Sequence, residues 1–158
     1  MKRVQLAGLV LAGVAAIAPA LYASGQPVAI QERARGAAKI VVATVAATNA
    51  RYERNEFGDE LIVTHAQLAV EEAIKGSGED VTLALEGGTV DGITLRVSDL
   101  PALAKGERAV FFLKAGRNGE AEPHLRGQGI LKLDDRNRVR GSELTLDDVR
   151  RMARPESR

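Results

Sequence analysis

The stretch KIVVATVAA, residues 39–47, decides the fold class of this 158-residue chain. It is rich in β-branched and small residues, and apolar residues occupy successive positions instead of every second one. Neighbouring side chains of a strand point to opposite faces of a sheet, so this run predicts a strand whose two faces are both covered. Such a strand belongs in a barrel or beneath a second layer.

A longer strand is predicted at residues 61–74. Its even-numbered positions are mostly apolar, whereas His65 and Gln67 fall on the other face, which predicts one solvated side and places His65 in solvent. A helix is the alternative, because the apolar residues also satisfy the i, i+3, i+4 spacing. The strand is preferred because residues 61–64 (LIVT) favour β-structure. The preceding segment 55–59 (NEFGD) is predicted to be a turn.

Further short strands follow between glycine-rich segments. Residues 86–92 (EGGTVDG) are predicted to be a turn, and Asn118-Gly119 within residues 115–120 signals a hairpin. Strands of this length and spacing are typical of a sandwich or a small barrel. The predicted strands lie at residues 81–85, 93–97, 109–113, 129–133 and 138–141.

The end of the chain predicts a short helix at about residues 146–153. Thr145 precedes Asp148 by three positions, as in a capping box with Asp in place of the usual Glu. Basic residues follow in the last turn, where they oppose the helix dipole, and Pro155 stops the helix.

The start of the chain predicts export. Lys2 and Arg3 precede an uncharged run rich in Ala and Leu at residues 6–20, as in a signal peptide. Cleavage is expected after Ala23, with Ala20 as the alternative site, and the product would be periplasmic or secreted. The other interpretation is a retained anchor, although the run is at the short limit of the roughly 17 to 25 residues that span a bilayer.

The expected domain organisation is therefore simple. Residues 1–23 form the signal peptide, residues 24–38 a flexible leader, and residues 39–158 a single domain. The chain has no cysteine, which excludes disulfides, thiolate nucleophiles and cysteine-ligated metals. Its 22 Lys plus Arg against 21 Asp plus Glu give a charge of +1, which offers no electrostatic reason to expect nucleic acid as a partner.

Four segments follow one another along the chain: IVVATVAA, AVEEAIKG, VTLAL and ALAKGERAVFFL. Their order resembles the netrin-like and tissue-inhibitor-of-metalloprotease-like group, and more closely the exported bacterial proteins that share its arrangement. The resemblance covers residues 39–113 and implies a mainly β fold: a small OB-like antiparallel barrel of about six strands, with the short helix at its C-terminal end. Inhibitors of that group place a disulfide-bonded N-terminal cysteine on zinc, and this chain has no cysteine to do so.

Two functional hypotheses remain. The first is an exported, non-catalytic binding or accessory module without a cofactor, whose partner is another protein; a membrane is a partner only if residues 1–23 are retained. Tyr52, Phe57 and His65 are its candidate contact residues, because aromatic side chains often anchor interfaces. The alternative is a metal-dependent or hydrolytic enzyme that uses His65 or His124 with carboxylates brought close by the fold.

Overall fold

A computed structural model describes residues 27–154 of the chain. The predicted signal peptide at residues 1–23, the start of the predicted leader and the helix-stopping Pro155 lie outside the described residues. No helix within residues 27–154 combines the length and the apolar composition that crossing a membrane requires.

Eight strands and two α-helices make up the described part of the chain, together with two short 3₁₀ turns at Arg117–Gly119 and Arg126–Gly129. In chain order the elements are α1 (Ile30–Gly36), β1 (Lys39–Arg54), β2 (Glu60–Lys75), β3 (Val81–Glu86), β4 (Gly88–Val90), β5 (Ile93–Leu95), β6 (Arg108–Ala115), β7 (Ala121–Pro123), β8 (Ile130–Lys132) and α2 (Leu146–Ala153).

Six of the strands form one sheet in the order β1-β2-β3-β7-β6-β8. Residues 39–44 of β1 also pair with β6, so the sheet closes near a barrel. Its ladders are antiparallel apart from the single parallel bridge between Leu83 and Ala121. The prediction of a mainly β, barrel-like fold of about six strands with a short C-terminal helix is confirmed.

The first strand has two buried faces, as its sequence predicts. Val41 and Val45 belong to the cluster inside the sheet, whereas Ile40 and Val42 belong to a second cluster that also contains residues of α1 and α2. Strand β6 shows the same division. Phe111 lies in the inner cluster and its neighbour Phe112 in the cluster beneath the helices.

The prediction of a flexible leader at residues 24–38 is wrong for residues 30–36, which form α1. Ala34 is buried in the helix-covered cluster, and the buried Arg33 donates from Nη1 to the Gln128 carbonyl oxygen at 2.7 Å. The helix has seven residues and no side-chain N-cap, so the local sequence carries little signal for it. Its stability comes from tertiary contacts, as for most short helices.

The C-terminal helix α2 forms at the predicted residues and with the predicted cap. The Thr145 hydroxyl accepts from the Asp148 backbone N–H at 3.2 Å, and the Asp148 carboxylate accepts from the Thr145 backbone N–H at 3.0 Å. The side chain of Arg150 donates to Glu72 of β2 from both Nε and Nη2. Together with the buried Val149, this pair fixes α2 on the outer face of the sheet.

Residues 86–92 contain a strand where the sequence predicted only a turn. Gly88 begins β4, which pairs with β5 in a separate two-stranded sheet that packs on β1 and β2. A β-carbon at Gly88 would overlap Thr64 Oγ1 and lie 3.0 Å from the Ala50 β-carbon. The segment therefore needs glycine for close approach of β4 to the sheet as well as for its φ of +135°.

We predict that Gly88→Ala lowers the free energy of unfolding by about 1–3 kcal/mol more than Gly92→Ala does. Both residues have positive φ, but a β-carbon at Gly92 meets no atom within 4 Å. Urea unfolding of the two variants and the wild type measures the difference. Equal losses in the two variants would contradict close packing at Gly88.

Candidate functional site

The imidazole of His65 lies between two carboxylates. Its Nδ1 is 2.7 Å from Oε1 of Glu120, and its Nε2 is 2.8 Å from Oε1 of Glu53. Only 7% of the residue is exposed. The prediction that His65 points into solvent is wrong because Glu53 and Glu120 cover the ring on the face of β2 that was expected to be wet. We call this group the histidine clamp.

Three elements that are distant in sequence build the histidine clamp. In the β1–β2 register Asn49 lies opposite His65, and Glu53 lies four residues further along β1 on the same face. Glu120 immediately precedes β7, which the β6–β7 hairpin brings next to β3. The clamp therefore joins the β1–β2 hairpin to the segment before β7.

Burial and hydrogen bonding act in opposite directions on the pKa of Glu53 in the histidine clamp. Burial of the Glu53 carboxyl raises its pKa, but the hydrogen bond from Arg51 and the charge and hydrogen bond of His65 together bring that pKa below the usual value. An ionised carboxylate can only accept hydrogen bonds, so His65 donates to Glu53 from Nε2.

Both ring nitrogens of His65 are thus engaged. The ring could bind a metal only by giving up one of these hydrogen bonds. Across residues 27–154, no group of three or more His, Asp or Glu side chains is arranged to hold a metal ion.

The other histidine has different surroundings. A β-carbon at Gly36 of α1 would overlap the His124 ring, and the His124 backbone N–H donates to the Phe112 carbonyl oxygen at 2.7 Å. His124 thus packs against the helix layer, whereas His65 lies between Glu53 and Glu120. Of the two histidines named for the enzymatic alternative, His65 is the one that the fold places between carboxylates.

The aromatic candidates lie near the tip of the β1–β2 hairpin. Phe57 is 82% exposed in the turn, which Asn55 organises: its Oδ1 accepts from the backbone N–H groups of Phe57 and Asp59 at 2.9 Å each. Tyr52 is 39% exposed and lies opposite Ile62, on the other face of β1 from Glu53. Tyr52 and His65 therefore do not share a surface.

A groove of about 250 Å³ lies beside the histidine clamp, and Glu53 and Glu120 of the clamp line part of it. We call it the hairpin groove. Its apolar side chains come from β2, β3 and β7 and from the segment between β5 and β6, and charged side chains line it as well. The apolar residues include Leu61, Val63, Leu100 and Pro123, and the cationic residues are Arg54, Lys114, Arg117 and Arg126.

The cations of the hairpin groove differ in how firmly they are paired: Arg126 donates to both Asp99 and Glu86, whereas Lys114 and Arg117 each have one carboxylate partner. Lys114 Nζ is 3.1 Å from Glu122, and Arg117 Nη2 is 3.8 Å from Glu56. Exposed ion pairs of this kind contribute little to stability and exchange partners readily. Arg54 forms no ion pair within the described part of the chain.

Sequence reasoning missed both carboxylates of the histidine clamp. The predicted turn at residues 55–59 carried a usable signal, because an antiparallel hairpin around it brings Glu53 onto the same face as His65. No sequence signal of this kind indicated Glu120. It was expected in a hairpin turn, and its contact with His65 depends on where β7 joins the sheet.

The protein is thus mainly β, with a groove lined by apolar and charged side chains next to the buried His65. No protein-family model matches the chain, and no curated protein matches it either. The resemblance to the netrin-like group therefore stays a prediction.

We predict that His65→Ala lowers the free energy of unfolding by about 1–3 kcal/mol, because two partly buried carboxyl groups lose their hydrogen-bond partner. Gln67→Ala is the matched control, since Gln67 is exposed on the same face of β2. Its effect should stay within about 0.5 kcal/mol. Chemical denaturation measures both, and equal losses would show that the clamp adds no stability.

A second prediction concerns pH. The pKa of Glu53 is lower in the folded state, so its stabilising contribution is present above the unfolded-state pKa of about 4.5 and is lost as pH falls through the folded-state value. Glu53→Gln should therefore cost about 1 kcal/mol at pH 7 and progressively less at acid pH. Glu56→Gln is the exposed control. Unfolding free energies between pH 3 and pH 7, about the range of carboxyl titration, check this, and a pH-independent difference would contradict it.

Proposed function

We propose that this protein is an exported, non-catalytic binding module that takes a side chain of a protein partner into the hairpin groove. The observation that carries the proposal is the composition of the groove, in which Leu61 and Val63 line the same surface as several charged side chains. Protein interfaces combine apolar contacts with polar and charged side chains.

The size of the hairpin groove favours a protein partner. Its volume of about 250 Å³ lies below the range of about 300–1,000 Å³ that is typical of small-molecule sites. A pocket of this size suits one anchoring side chain of a larger partner, as found at interface hot spots. The rim holds cations and carboxylates, so the partner segment is expected to carry charges of both signs around an apolar residue.

The surroundings of the hairpin groove support binding without large rearrangement. The histidine clamp joins the hairpin to the segment before β7, and Asn55 organises the turn that carries Phe57. A preorganised surface loses less conformational entropy when it binds. Phe57 extends from the same hairpin tip, where it can contact the partner outside the groove.

Export of the protein rests on the sequence of residues 1–23, with its basic start and its uncharged run. The partner is therefore sought in the periplasm or outside the cell. Expression with the native start, followed by fractionation and intact-mass measurement, should give a species of 135 residues outside the cytoplasm, because 158 − 23 = 135.

The test of binding compares two aspartate substitutions. Leu61→Asp places a charge among the apolar residues of the hairpin groove, whereas Ile93→Asp places the same charge at an apolar side chain that is 60% exposed outside it. We expect wild type and Ile93→Asp to retain the same periplasmic protein on an affinity column. Leu61→Asp should weaken retention at least tenfold, since a buried unpaired charge is strongly unfavourable.

Phe57→Ala should weaken retention by a smaller factor and leave the unfolding midpoint unchanged, because Phe57 is exposed. Circular dichroism of each variant controls for folding. Equal retention of wild type and folded Leu61→Asp would reject the hairpin groove as the binding site.

A further inference from the structure

The outer edge of β1 is open over its second half. Strand β6 pairs with β1 only as far as Thr44, and Val45 then exchanges backbone hydrogen bonds with Glu107 and Gly106. Beyond this point β1 runs on to Arg54, paired with β2 along its other edge. No strand of residues 27–154 pairs with the open edge between residues 46 and 54.

Hydrogen bonds on either side of the hairpin identify the residues that point outward. The Asn55 backbone N–H donates to the Asp59 carbonyl oxygen at 2.9 Å, and the Ile62 carbonyl oxygen accepts from Gly87 on the far side of β2. The backbone N–H and C=O groups of Ile62 therefore point away from β1, and those of its partner Tyr52 point away from β2. By alternation, the backbone groups at Thr48, Ala50, Tyr52 and Arg54 face the open edge.

Exposed edges are normally protected by charge, because like charges repel an incoming strand. Here charges of opposite sign lie two residues apart on one face: Arg51 is exposed and Glu53 is half-buried, and within the chain the two side chains are 2.7 Å apart. Such an edge repels many strands, but it is complementary to an antiparallel copy of itself. With a two-fold axis at Tyr52, Arg51 of each chain lies directly opposite Glu53 of the other.

The same axis also satisfies the backbone. It pairs Tyr52 with Tyr52 and Ala50 with Arg54, and each of these residues presents its N–H and C=O groups to the edge. Hydrogen-bonded pairs of an antiparallel ladder exchange two hydrogen bonds each. The three pairs, with the Ala50–Arg54 pair occurring twice, therefore form about six hydrogen bonds across the interface. An axis at Ala50 would satisfy the backbone too, but it would place Arg51 opposite Asn49 and leave the charges without opposite partners.

We propose that the open edge of β1 is an interface with a second copy of this chain, paired antiparallel about a two-fold axis at Tyr52. Three observations carry the proposal: the unpaired edge, the backbone groups of the even-numbered residues that face it, and the self-complementary charges of Arg51 and Glu53. The interface and the hairpin groove share Glu53 and Arg54, but the interface follows the outer edge of β1, whereas Leu61 and Val63 of the groove lie on β2.

A cysteine cross-link tests the axis directly, since the natural chain has no cysteine. The two copies of residue 52 would form a hydrogen-bonded antiparallel pair, whose Cα atoms lie about 5.5 Å apart, within the range that a disulfide spans. Tyr52→Cys should therefore form a covalent dimer under mild oxidation. Arg54→Cys should not, because two copies of residue 54 would lie about 14 Å apart along the strands.

Charge reversal provides the second test, in the full chain with its native start. Sedimentation should show a reversible dimer of the wild type, and Arg51→Glu should raise its dissociation constant at least about tenfold by opposing Glu53 with a second carboxylate. Arg51→Gln should have a smaller effect. Arg136→Glu is the control, because it reverses an exposed cation in the turn before α2.

Three results would overturn the proposal. The first is a wild-type monomer at concentrations up to about 1 mM, the weak limit of specific association. The second is a dimer that Arg51→Glu weakens no more than Arg136→Glu does. The third is equal cross-linking of Tyr52→Cys and Arg54→Cys, which would indicate random collisions.

Discussion

The double pairing of β1 is the constraint on which the rest of the structure depends. Over residues 39–44 this strand hydrogen-bonds to β2 along one edge and to β6 along the other, which closes the sheet near a barrel. Both of its faces are then buried, one inside the sheet and one beneath the helices. The apolar run KIVVATVAA is required by this position, because a polar side chain on either face would lose its hydration.

The second half of β1 follows from the same constraint. Once β6 has turned away after Thr44, the β1–β2 hairpin continues with one edge open and with only partial cover on its faces. That change from full to partial burial creates both proposed surfaces, the hairpin groove and the open edge. The histidine clamp borders the hairpin groove and joins the extended hairpin to the segment before β7 through the buried ring of His65.

Predictions from the sequence succeeded where local pattern and burial agree. The long strand over residues 61–74, the hairpin around Asn118-Gly119 and the capped helix at residues 146–153 each have a local cause in side-chain alternation, turn chemistry or capping. They failed where distant segments supply the stabilising contact. Helix α1 lacks a side-chain cap and is stabilised by residues far along the chain, and His65 was assigned to solvent because alternation alone cannot show that Glu120 covers it.

The sequence by itself therefore determined the class of fold, the covered first strand and the absence of cysteine chemistry, because these depend on composition and on periods of a few residues. It also determined that His65 and Glu53 share a face once the hairpin turn is placed. Only the tertiary structure decided which carboxylates meet the imidazole, where the hairpin groove lies and which edge of β1 stays open. These features depend on pairing between strands that lie far apart in the chain, and no local pattern encodes such a pairing.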